Sequence, residues 1–173
     1  MKKVFILSLL LCSFSIPSSG AAKDGFTLSL LLVMGEHSRD SYAETTLITL
    51  VGDNLVYEQT YSGSRASSRS PVRREFKLKG SEIGRLKSLI KEKNLLGSGG
   101  LKFKLLAGQL AYFEMNIKIT LKGIIATQEL SGPRNSANIK EERVYQKSVA
   151  LLRELYGIIS LRDKEISFQE PVS

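Results

Sequence analysis

The chain has 173 residues, with 25 basic against 17 acidic side chains and a formal net charge of +8. One cysteine, one histidine and no tryptophan exclude a disulfide scaffold and any site that needs two imidazoles or two thiolates. The length supports one domain with a sizeable core, and the basic balance favours anionic partners.

The first element in chain order is an export signal. Met1-Lys2-Lys3 is basic, Val4 to Phe14 is almost wholly apolar, and Ile16-Pro17-Ser18-Ser19-Gly20-Ala21-Ala22 ends in small residues. This is the pattern of a cleavable secretory signal peptide over residues 1–21, with a mature start near Ala22. The apolar run is shorter than the ~20 residues a permanent membrane helix needs. Cys12 follows Leu11, where a lipid-attachment signal carries a small residue. Cleavage removes Cys12 and leaves a thiol-free chain with 23 basic and 17 acidic residues, a net charge of +6. The expected location is periplasmic or secreted, and export places nucleic acid last among the anionic partners.

Phe26, Leu28, Leu30, Leu32 and Met34 alternate with their neighbours at a period of two, which predicts a strand. A polar loop over 35–41 follows. Thr45–Val51 and Leu55–Tyr61 read as a hairpin turned by Gly52-Asp53-Asn54, residues that tolerate positive φ. Residues 62–71 are rich in serine and arginine and are expected to form a mobile loop. Val72–Lys79 returns to a strand with Phe76 and Leu78 inward. Ser81–Asn94 is predicted helical, with Ile83, Leu86, Leu89 and Ile90 on one face, Ser81 as N-cap and Asn94 in a left-handed cap. Gly97–Gly100 is expected to be a flexible link, and 101–110 does not distinguish strand from loop.

The clearest strand is Phe113–Leu121. With Lys122-Gly123 as its turn, Leu121 pairs with Ile124, Ile119 with Ala126 and Met115 with Leu130, so the apolar sets share a face. Gln128 is the one misfit. A second helix is expected from about Ile139 to Ile159, with Asn138 and Glu141 resembling a capping box. Val144, Ala150, Leu151, Leu152, Leu155 and Ile159 form its apolar stripe. The polar tail, 161–173, either frays or adds an edge strand through Ile166 and Phe168. The order β-β-β-β-α-β-β-α predicts an α+β domain over 22–160. Its single antiparallel sheet has about six strands, with two helices on one face.

No catalytic constellation stands out. Glu36, His37 and Asp40 could ligate a metal, but no second histidine or cysteine supports them, and a solvated loop is the better reading. A Ser-His-Asp site would need His37, and no Gly-x-Ser-x-Gly elbow is present. Gly97-Ser98-Gly99-Gly100 follows a helix and lacks the Lys-Ser/Thr of a phosphate loop. Glu114 and Glu129, a formal acid/base pair, fall on a polar sheet face among lysines. No cofactor or metal is therefore expected. Arg65, Arg69, Arg73 and Arg74 cluster in and beside the serine-rich loop, and guanidinium forks suit phosphate, sulfate and carboxylate; a plain solvated loop explains them equally well. The resulting expectation is a small exported, non-enzymatic binding module. Its partner is an anionic envelope component (lipid head groups or acidic glycan) or a protein captured on a sheet edge in an inhibitor-like manner. The alternative is an envelope hydrolase with a lysine- or carboxylate-based site.

Overall fold

The computed structural model describes residues 25–36, 41–64, 66–97, 99–103 and 110–172. The segment expected to be an export signal, with Cys12, and also His37, Asp40, Arg65 and Ser98, lie outside them. The strands are β1 (Thr27–Glu36), β2 (Tyr42–Val51), β3 (Asn54–Gly63), β4 (Val72–Lys77), β5 (Gly99–Lys102), β6 (Ala111–Leu121) and β7 (Ile124–Pro133). The helices are α1 (Gly80–Glu92), α2 (Ala137–Glu141) and α3 (Arg143–Ser160).

The class is α+β, as the element order implied, but the sheet is larger than expected and not purely antiparallel. Seven strands run in the order β4-β3-β2-β1-β6-β7-β5, and β5 lies parallel to β7. The segment expected as a flexible glycine link thus carries the seventh strand. Gly99 and Gly100 pair with Gln128 and Glu129, and the Gln128 amide donates a hydrogen bond to the Gly97 carbonyl. A Cβ at Gly99 would stand 2.9 Å from Gln128 Oε1, so a side chain there would push the Gln128 amide aside. The residue that broke the apolar match of the hairpin anchors the added strand.

The β6–β7 hairpin has the register the sequence implies, with Leu121 opposite Ile124, Ile119 opposite Ala126 and Met115 opposite Leu130. Lys122 and Gly123 both have positive φ, 51° and 80°, as a two-residue primed turn demands. β2 and β3 turn through Gly52 and Asp53, with Val51 opposite Asn54. β1 is central, paired with β2 and β6. Its inward residues Leu28, Leu30, Leu32 and Met34 are buried, while Leu31 on the outer face is exposed.

α1 and α3 cover the inner face. Leu86 and Ile90 of α1 join Leu151, Leu152, Leu155, Ile158 and Ile159 of α3 and the inward strand residues in one core cluster. The N-cap of α1 is Lys79 rather than Ser81: the Glu82 carboxylate accepts the Lys79 N–H at 2.7 Å, which satisfies one of the donors a helix start leaves open. Asn94 takes the expected left-handed conformation, φ 52°.

The second helix is not continuous. Glu142, with ψ 124°, separates α2 from α3, and the cap of α2 is Ser136, not Asn138. The break allows Ile139 to be buried beside Gly132 while α3 lies along the sheet. Past α3 the tail neither frays nor adds a strand over the described residues. Ile166 and Val172 are buried, Val172 N–H donates to the Tyr145 hydroxyl at 3.1 Å, and Arg134 donates to the Pro171 carbonyl at 3.1 Å. No helix among the described residues is long and apolar enough to cross a membrane.

Candidate functional site

The inward row of β2 changes character along its length. Ile48 and Leu50 are apolar, but Glu44 and Thr46 occupy the same face nearer the start of the strand. On β3, Tyr57, Gln59 and Tyr61 stand opposite Ile48, Thr46 and Glu44. The two strands therefore carry a polar, aromatic patch at the end of the sheet where β1 finishes and β2 begins. Tyr42 and Tyr61 stack there with ring centroids 6.3 Å apart.

The serine-rich loop supplies the remaining cation. Gly63 has φ +101°, and a Cβ there would lie 1.8 Å from the Ser41 carbonyl oxygen, so only glycine permits this exit from β3. Ser64 N–H donates to the same carbonyl at 3.1 Å, and Arg69 N–H closes a short helical turn onto Ala66 at 3.0 Å. These contacts return Arg69 to the patch. Its guanidinium carbon lies 5.5 Å from the Tyr42 ring centroid and 5.3 Å from that of Tyr61, within cation–π range. Arg69 Nη1 donates to the Tyr42 hydroxyl at 3.0 Å and stands 3.7 Å from Glu44 Oε2.

Glu44 lies beneath, only 7% exposed. Its Oε1 accepts the Gln59 amide at 2.6 Å and its Oε2 the Tyr42 hydroxyl at 3.3 Å. A buried carboxylate is tolerated when donors and a cation compensate it, and Gln59, Tyr42 and Arg69 do so here. The tail roofs the notch. Two adjoining hollows of about 160 Å³ each share Glu44, Arg69 and Gln169; Glu36 and Arg134 border one, and Tyr57, Tyr156 and Glu165 the other. Burial pushes the Tyr57 hydroxyl pKa upward, with Tyr156 and Glu44 adding to it. Burial likewise raises Tyr156, and burial plus the Glu44 charge raises Tyr42. All three phenols stay protonated donors at neutral pH. The notch thus offers an exposed guanidinium fixed beside two tyrosine rings, which suits recognition of a polar ligand.

The four arginines of the sequence reading do not converge. Arg65 lies outside the described residues. Arg73 projects to the outer face, paired with Glu58 and with Glu75. Arg74, on the opposite face of β4, bonds Asp163 at 2.9 Å and helps hold the tail. Arg69 alone of the described three enters the notch. Glu114 and Glu129 lie on the outer face, where they line a shallow hollow with Lys102, and Lys102 Nζ is 3.3 Å from Glu129. Arg143 and Lys147 of α3 line a wider surface hollow with Lys93 and Glu92. Sequence reasoning missed Glu44, Gln59, Tyr42 and Tyr61. The available signal was parity: Glu44 and Thr46 fall on the same alternation as Ile48 and Leu50, polar groups where an inward apolar row is expected. No family model matches the chain, and no curated protein matches it.

Proposed function

We propose that this protein is a non-enzymatic binding module exported to the cell envelope, and that the Arg69 notch holds an acidic glycan. The observation that carries the reading is Arg69 itself, held at the mouth over two tyrosine rings with its side chain 55% exposed. A fixed guanidinium suits carboxylate or sulfate groups, and tyrosine rings provide the apolar faces against which sugar rings pack. The net charge of +6 after signal cleavage adds long-range attraction for such a polymer. Both oxygens of Glu44 already accept hydrogen bonds. That engagement favours binding over an envelope hydrolase built on this carboxylate.

Retention on immobilised heparin at low salt tests the reading. Arg69→Ser is compared with Arg85→Ser, which removes an equal charge from an ion pair with Glu154 on the helices. Arg69→Ser is expected to elute at clearly lower salt and Arg85→Ser to elute with the parent. Equal elution of the two variants refutes the notch as the binding surface.

A further inference from the structure

The end of the sheet opposite the notch has a different chemistry. Ile124 and Ile125 stand at the β6–β7 tip, 52% and 63% exposed. Adjacent strand residues project to opposite faces, so the two side chains form a wedge at the corner of the domain. Two neighbouring isoleucines exposed at one turn tip form a small contiguous apolar patch that a membrane or partner can cover. Lys122 in the turn and Lys118 on the outer face are both exposed. On the inner side, Lys87 of α1 stands 5.3 Å from the Phe26 ring centroid, and Lys91 follows one turn later on the same side of the helix. The acid of the neighbouring β2–β3 turn, Asp53, is bound by Lys77 at 2.9 Å.

The path of the chain specifies what meets this end. Thr27, the first residue of β1, pairs with Thr120 beside the tip, so the described chain enters the fold here. The apolar run Val4–Phe14 joins the domain at this end through residues 15–24. Ten residues reach at most about 35 Å when fully extended. Before cleavage, while that run is in a bilayer, the Ile-Ile tip and its lysines stay within about 35 Å of the lipid surface.

From these observations we propose that the β6–β7 tip docks on a membrane. Ile124 and Ile125 enter the headgroup–acyl boundary, and Lys118 and Lys122 contact anionic head groups. An apolar tip combined with basic residues gives binding that depends on both lipid charge and salt. This surface goes beyond the Arg69 notch and lies at the other end of the strands, so the failure of either reading leaves the other standing.

The absence of tryptophan makes a direct test available. Ile125→Trp is introduced into the exported chain, with Leu161→Trp as a control at an exposed position at the end of α3. Each variant is mixed with phosphatidylcholine vesicles, with and without phosphatidylglycerol, some carrying brominated acyl chains. Ile125→Trp emission is expected to shift to shorter wavelength and to be quenched by the bromines, most strongly with phosphatidylglycerol, while Leu161→Trp is unaffected. The chain used begins at Ala22, after the expected cleavage, so no attached leader brings position 125 to the lipid. Changing Lys118 and Lys122 together to Ser in the Ile125→Trp background is expected to weaken partitioning into phosphatidylglycerol vesicles about thirtyfold at low salt. An Ile125→Trp spectrum unchanged by anionic vesicles, or quenching equal to that of Leu161→Trp, overturns the proposal.

Discussion

Arg162→Met is the most informative perturbation of the scaffold. Arg162 lies just past α3 and donates to both Glu82 oxygens, at 2.8 and 2.7 Å, and to the Ile158 carbonyl at 2.8 Å. Glu82 in turn accepts the Lys79 N–H, so one ion pair joins the end of α3 to the start of α1. The side chains are 23% and 14% exposed, between the regimes of surface and buried pairs. Charges ~4 Å apart attract by ~4 kcal/mol at an effective dielectric near 20, and desolvation returns part of that. Exposed pairs contribute up to about 1 kcal/mol, while truncating one partner of a buried pair costs about 3–5 kcal/mol. We therefore expect a loss of about 2 kcal/mol at pH 7, seen as a fall of about 1 M in the urea midpoint. The pH dependence separates the ion pair from the packing. The Arg162 hydrogen bonds, aided by the Lys79 N–H, hold the Glu82 carboxyl below its ordinary value against the opposing effect of burial. A carboxylate lowered in the folded state contributes stability that is complete above its unfolded pKa, about 4.3. That contribution is lost as pH falls through the folded value. The cost of Arg162→Met is thus expected to shrink between pH 7 and about pH 2, leaving the carbonyl hydrogen bond as the residue. An equal or larger cost in acid refutes the assignment.

Three further outcomes follow from the same packing. Ile117→Asp places a carboxylate at a fully buried position between Leu30 and Gln128, and should abolish cooperative thermal unfolding because no partner compensates the charge. Gln128→Ala removes the hydrogen bond to Gly97; amide exchange at Gly100–Phe103 should accelerate while the β6–β7 amides remain protected. Burial pushes Tyr145 up to about 12 and raises Tyr57 and Tyr156 as well. The folded chain therefore holds these phenol protons above pH 10, and stability declines as pH rises from about 10 to about 12. Phenolate absorbance should show these tyrosines ionising together with loss of the near-ultraviolet dichroism, not before it.

The β6–β7 hairpin could be read from the amino-acid order because a primed turn and an alternating apolar row define the same register. β5 could not. Gly99 and Gly100 present no side-chain pattern, and their pairing partner lies on the far edge of a hairpin that follows them in the chain. Neither proline nor glycine marks the helix break at Glu142; its one sign in the sequence was Ile139, which falls about 140° from Val144 at the helical repeat and so lies off the stripe. Arg69 was visible as a candidate because it lies in a basic loop. Its surroundings were not, because Tyr42, Glu44, Gln59 and Tyr61 meet only through the β2–β3 register and the path of the tail.

β1 runs without interruption from Thr27 to Glu36, a length of about 30 Å at the usual strand rise. Its two ends face different surroundings: isoleucines and lysines at the first, a tyrosine-clasped arginine at the second. A rigid central strand of that length works as a standoff. On the two proposed contacts, a ligand at the arginine end would stand well clear of a surface at the isoleucines, and both could be occupied without touching.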